Sequence, residues 1–427
     1  MRIIHAAPLA LGLLFANGAG AGAGTIIDCG RLLDVKSGQW RDHVSIVVEQ
    51  DKFAAVQAQQ AGGADHIDLR GYSCLPGLID AHVHLTFQFS PSYYSDKFRL
   101  NPADNAIRGT VYARRTLEAG FTTVRNLGEN DNTSIALRNA VNAGLVPGPR
   151  IFTAGKYVGS TGGHADETNG FRADLAGDPG PKDGIINSPE DAWKAVRQHY
   201  KDGADLIKIM PSGGVLDESR SADNPQMTEE EIKAVVAAAH DYGFTVAAHA
   251  HGAEGIRRAV AGGVDSIEHG TFMDEQDMRL MKERGTWYVP TVIAGQSVSE
   301  KAKVPNYFPP QVAIKALQVG PKILDTLGRA YRYGLKIAFG TDAAVYPHGD
   351  NAGEFAYMVQ AGMPALEAIR AATLNAAELL RHADTLGQVA KDYQADLIAV
   401  KGDPLQDVTS LQHVEFVMKA GTVYKKP

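Results

Sequence analysis

The chain has 427 residues, enough for one large domain and a smaller one. It is 44% hydrophobic and 21% charged, with a formal net charge of -7. No Lys/Arg run or basic stripe offers a footprint for nucleic acid, and after the first residues no apolar run is long enough to span a membrane.

Met1-Arg2-Ile3 supplies a small positive charge, Leu9 to Phe15 is apolar, and Ala19-Gly20-Ala21-Gly22-Ala23 offers small residues to a signal peptidase. Residues 1–23 read as a cleaved secretory signal, which places the mature protein in the periplasm or outside the cell. The cleavage region has no cysteine, so a lipid anchor is not expected. The two cysteines, Cys29 and Cys74, fit either a disulfide in an exported protein or two buried thiols.

From Thr25 to Ser73 short strand-like runs alternate with Gly, Asp and Ser turns, and the same texture returns from Ala395 to Tyr424. Residues 24–75 and 385–427 are therefore expected to form one discontinuous β-sandwich domain. Between them, residues 76–384 alternate apolar strands with amphipathic helices. Ser188-Pro189-Glu190-Asp191 is a helix start, with Trp193, Val196 and Tyr200 expected on the buried face and Gly203 as the stop. Thr228-Glu229-Glu230-Glu231 is a capping box, and Gly243 ends that helix. Strands are expected around Ile79, Val124, Ile151, Ile207, Val246, Ile267, Val289 and Ile337. The fold class is α/β, a (β/α)₈ TIM barrel. An open doubly wound sheet would want a Gly-rich phosphate loop after its first strand, which is missing.

Ligand-type side chains recur at the ends of these strands or within them. His82 and His84 stand i, i+2 on one strand face, so both imidazoles can reach one ion. Lys208 lies in Leu206-Ile207-Lys208-Ile209-Met210, where burial disfavours its ammonium. A neutral lysine takes up carbon dioxide as a carbamate, in effect a carboxylate. His249 and His251 follow the fifth strand, His269 the sixth and Asp342 the eighth. His164, on the Gly-rich loop from Gly159, and Tyr157 are candidate pocket residues. The stretch from Ile293 to Pro310 reads as a long loop that closes over an apolar substrate, or as an oligomer contact.

The run Pro76-Gly77-Leu78-Ile79-Asp80-Ala81-His82-Val83-His84, with Ile207-Lys208-Ile209, Ala248-His249-Ala250-His251-Gly252, Ile267-Glu268-His269-Gly270 and Gly340-Thr341-Asp342-Ala343, resembles the amidohydrolase superfamily. The likeness is strongest to its imidazolonepropionase-like and Xaa-Pro dipeptidase-like subgroup, which includes enzymes cleaving the amide of ochratoxin A.

The resemblance implies two divalent metal ions, zinc fitting the donors. His82, His84 and Asp342 would bind the first, His249 and His269 the second, and Lys208, as N6-carboxylysine, would bridge them. A hydroxide held between them would attack the scissile carbonyl, with Asp342 moving the proton. His251 is the second catalytic candidate and would hydrogen-bond the substrate, with His164 and Tyr157 beside it.

The implied substrates are small: N-acyl amino acids or dipeptides with a C-terminal carboxylate, ochratoxin A to ochratoxin alpha and phenylalanine among them. The implied assembly is a ring-like homo-oligomer, an octamer in some members. A lactonase or esterase, or a mononuclear imidazolonepropionase or deaminase, would use the same scaffold, but the mononuclear sites generally lack the lysine. Two positions depart from the pattern: Asn126, where Asp is more common, and Asp392, where a turn glycine is common.

Overall fold

The structure, a computed structural model, describes residues 24–59, 66–129, 131–217 and 221–427; the signal-like segment 1–23 lies outside them. Among the described residues no helix is long and apolar enough to cross a membrane.

The two chain ends share one seven-stranded mixed sheet. Strands β1 (Thr25–Asp34), β2 (Gln39–Glu49), β3 (Lys52–Ala58) and β4 (His66–Pro76) come from the first segment. Strand β4 lies parallel to β1 and antiparallel to a strand near the C-terminus, Leu397–Val400, which joins the first segment to the last. The sheet has its own core. Ile27, Ile46, Phe53 and Leu69 from one end meet Leu397 and Phe416 from the other in one buried cluster. Cys29 on β1 and Cys74 on β4 form a disulfide there, which resolves the open alternative. Asp392 has φ 71° and takes the left-handed turn expected of it.

Between the two segments, parallel strands alternate with helices. β5 (Leu78–Val83), β6 (Phe121–Asn126) and β7 (Arg150–Thr153) form one sheet. β8 (Tyr157–Val158), β9 (Ile207–Ile209), β10 (Val246–Ala250), β11 (Ser266–His269) and β12 (Trp287–Val289) form another. Seven of the eight expected strand positions fall in these strands. The eighth, around Ile337, is not a regular strand. Segment 336–343 bonds to β12 through Tyr288 N–H to Lys336 O (2.8 Å) and to β5 through Ala81 N–H to Phe339 O (2.9 Å). Two later strands, β13 (Leu397–Val400) and β14 (Val414–Lys419), with β15 (Thr422–Lys425), complete the seven-stranded sheet.

The helix stops and starts follow local chemistry. Ser188 accepts the Asp191 N–H at the head of Pro189–Asp202, and Gly203 (φ 90°) ends it. Thr228 and Glu231 exchange both capping-box bonds at the head of Glu229–Asp241. One face differs from expectation. Helix Pro189–Asp202 buries Ala192, Ala195, Val196 and His199, while Tyr200 is exposed. The small alanines let the helix lie close to the strands, and the larger rings flank the contact. Ile293 to Pro310 is not one long loop. Its first half is the helix Val292–Lys301, followed by a short connection to the helix Pro310–Tyr333.

Candidate metal centre and active site

The strand ends of the parallel sheets converge on one cavity of about 300 Å³. His82 and His84 at the end of β5 meet Asp342. The Asp342 carboxylate lies 3.4 Å from His82 Nε2 and 3.1 Å from His84 Nε2. His249 and His251 on and after β10 meet His269 at the end of β11. Within each group the potential donor atoms lie no more than 4.8 Å apart. Lys208, on β9 beside β10, is fully buried and opens onto the same cavity.

Each histidine has one ring nitrogen fixed by a neighbour, which leaves the other directed at the cavity. His82 Nδ1 bonds Glu268 (2.9 Å), His84 Nδ1 bonds Gly128 O (2.8 Å) and His269 Nδ1 bonds Thr291 Oγ1 (2.7 Å). His249 Nε2 faces Gly213 O (3.1 Å), and His251 Nδ1 bonds Thr271 Oγ1 (2.8 Å). Such partners set the tautomer and hold the ring for a metal. Gly128 has φ 113°, and a side chain there would strike the Tyr157 ring. Only glycine can offer that carbonyl to His84.

Charge follows burial. Burial, and then neighbouring histidines, push His249 and His269 well below the usual imidazole range, and His251 down to about 3. All three are therefore neutral, as ligands must be. Burial pulls Lys208 down to about 8, against the attraction of Glu268 and Asp342. Among the described residues its ammonium has no hydrogen-bond or ion-pair partner. A buried amine held this way is costly as a cation. Burial raises Asp342, but His82 and His84 outweigh it and hold its carboxyl well below the usual range.

The remaining sequence candidates are also present. His164 sits with its ring 4.4 Å from that of His249 and its Nδ1 2.5 Å from Asp217. Tyr157 places its hydroxyl 3.4 Å from His84 Nδ1. His251 lies within the donor group, so geometry alone does not separate it from His249. The helix Val292–Lys301 contributes Ala294 and Val298 to the cavity wall, which also holds Phe87, Phe89 and Tyr93.

Sequence reasoning missed three positions. Arg125 is fully buried and reaches Ala81 O (2.6 Å), Ser266 Oγ (3.1 Å) and Glu268 (2.8 Å). Glu268 joins it to His82. Asp80 accepts from Thr341 and Asn351 beneath Asp342. A buried charge inside an apolar strand, as in Thr123-Val124-Arg125, was the available signal. Asn126 serves as an amide: its oxygen accepts the Leu85 N–H (2.7 Å) and its nitrogen donates to Glu129 (2.9 Å). Aspartate could not make the second bond.

Residues 74–425 match the model of the amidohydrolase family. The chain belongs to that family and is a hydrolase. Over 374 residues it is 33% identical to an ochratoxinase of Aspergillus niger, with 83% of this chain and 76% of the relative covered. Among solved structures it is similar to a Xaa-Pro dipeptidase with bound methionine in the active site. That likeness has a TM-score of 0.92 at 49% identity over 94% of this chain and 100% of the other. A prolidase complexed with N-methylphosphonate-L-proline gives a TM-score of 0.85 at 32% identity, over 95% and 100% of the two chains.

Proposed function

We propose that this chain is a binuclear metal-dependent hydrolase of amide bonds, acting on N-acyl amino acids or dipeptides with a C-terminal carboxylate. Ochratoxin-type phenylalanine amides fall in that class, and the ochratoxinase and dipeptidase relatives support it. The observation that carries the reading is Lys208, buried beside both donor groups with no hydrogen-bond or ion-pair partner among the described residues.

His82, His84 and Asp342 would hold one ion and His249 and His269 the other, with Lys208 as a carbamate serving both. When bound, such ions supply Lewis acidity, easing deprotonation of water and polarising the scissile carbonyl. Asp342 accepts the proton of the attacking water and delivers it to the leaving nitrogen as the C–N bond breaks. His251, steadied by Thr271, and Tyr157 orient the substrate oxygen. His164, backed by Asp217, faces the substrate carboxylate.

We read the two parallel sheets and segment 336–343 as a closed (β/α)₈ barrel, with the seven-stranded sheet as its β-sandwich companion. Backbone bonds from both β12 and β5 to that segment support closure. The Cys29–Cys74 disulfide supports an exported protein.

The test is Lys208→Ala. It should hold fewer than two ions per chain and lose hydrolysis of N-acyl-phenylalanine substrates, read by metal analysis and steady-state kinetics. A Lys208→Ala protein with full occupancy and parental turnover would refute the mechanism.

A further inference from the structure

The cavity carries different chemistry on its two sides. His164 packs on His249 and so flanks the second donor group. Glu167 lies on the loop that follows, and its charge acts on Tyr93 and on Tyr157, which flanks the first. Glu167 is half-buried on the cavity wall. Among the described residues its carboxyl has no hydrogen bond or ion pair. Its neighbour Asp166 is occupied, accepting from Gly162 and Thr168. Burial pushes the Glu167 carboxyl up to about 7, with the Lys97 ammonium pulling the other way. A carboxylate held this way gains from a cation that enters the cavity.

Much of the rest of the cavity lining is apolar, including Phe87, Phe89, Tyr93, Ala294, Val298 and Ile323. His164 and Glu167 lie three residues apart on one turn-rich loop, and both line the cavity that the donor groups share. A dipeptide bound with its carboxylate at His164 can therefore present its ammonium to Glu167.

We propose that Glu167 binds the free α-ammonium of a dipeptide whose N-terminal residue has a large apolar side chain. The enzyme then distinguishes true dipeptides from N-acyl amino acids of the same shape. This rests on the amide-hydrolase reading of the site. Lys97 is the rival occupant. It is exposed, with its ammonium 5.8 Å from the Tyr93 ring centre and 6.0 Å from that of Phe171. If Lys97 were the true partner, Glu167 would act as a latch indifferent to the substrate amine.

The probes are L-leucyl-L-phenylalanine and 4-methylpentanoyl-L-phenylalanine, which differ only in the amine. The expected result is that Glu167→Gln lowers the dipeptide-to-desamino ratio of kcat/KM at least about tenfold, the scale of a charge-assisted hydrogen bond. An unchanged ratio, or an equal loss on both substrates, would overturn the proposal. If neither compound is hydrolysed, calorimetric titration of the same pair separates the two ideas. An affinity ratio that falls in Glu167→Gln keeps the ammonium subsite and discards the proposed reaction; a ratio that does not respond discards both.

Discussion

Glu268→Gln separates what the buried network does for stability from what it does for metal binding. In the parent, one Glu268 oxygen takes the Arg125 guanidinium at 2.8 Å and the other takes His82 Nδ1 at 2.9 Å, and all three side chains are buried. Burial raises the Glu268 carboxyl, but Arg125, His82 and Lys208 outweigh it and hold it at about 2, so it is charged at neutral pH. Glutamine keeps the shape but loses the charge, and it must turn an N–H toward either Arg125 or His82, both donors. Arg125 is left with only the neutral acceptors Ala81 O and Ser266 Oγ.

Removing one member of a buried pair costs about 3–5 kcal/mol, because the other charge remains uncompensated. The variant Arg125→Met/Glu268→Gln removes both charges and should recover most of that loss. Metal affinity should not recover, since His82 still lacks its carboxylate; losing such an outer partner weakens binding about 10–100-fold. Urea denaturation and zinc competition titrations on the parent, the single variant and the double variant give both quantities. A loss under about 1 kcal/mol in Glu268→Gln would refute the electrostatic argument. Parental zinc affinity in the double variant would refute the assignment of Glu268 as the group that holds His82.

Replacing both Cys29 and Cys74 by serine opens a link across 45 residues and should cost up to about 4 kcal/mol on the loop-entropy scale. Denaturation of the parent with and without reductant should reproduce that gap, and equal midpoints would rule it out. Burial raises Asp217, but His164 and Lys315 outweigh it and hold the carboxyl well below its ordinary 3.8. Its contribution is therefore full above about pH 4 and is lost as pH falls toward the lower folded value. Asp217→Asn should be most destabilising at neutral pH, with the gap to the parent closing in acid; a pH-independent gap would contradict the ion-pair account. Thr291→Gly should relieve about 1 kcal/mol of left-handed strain, as φ there is 55°. It should also weaken metal binding by freeing His269 Nδ1, and unaltered metal affinity would end that reasoning.

The parts legible in the sequence were those written locally. His82 and His84 share a face because strand side chains alternate. Ser188 and Thr228 announce their helices because cap and partner lie three residues apart. Lys208 stood out because a charge in an apolar strand needs an explanation. The unread parts depend on distant partners. Arg125 meets Glu268 only when β6 and β11 face each other across the sheets, 143 residues apart in the chain. Lys315 reaches Asp217 across 98 residues. The helix Val292–Lys301 looked like a loop because its first N–H groups have no local cap. They are satisfied by Glu354, 62 and 61 residues further on.

Backbone conformation gives the physical reason that propensity fails at this site. His269, Thr291 and Asp342 all have positive φ, at 69°, 55° and 59°. None is glycine, and Thr is β-branched, so each local sequence argues against the conformation it adopts. Tertiary bonds impose it: Tyr288 Oη donates to His269 O (2.9 Å), Asp342 N–H donates to His82 O (2.7 Å), and Glu354 pins the helix that begins after Thr291. All three side chains line the cavity. Such strain persists only where rigid surroundings over-determine the backbone. The buried strands beneath, Ser266–His269 and Trp287–Val289, supply that rigidity. The donors can therefore be found in the sequence by their chemistry, whereas the geometry that aims them depends on how the strands come together in the fold.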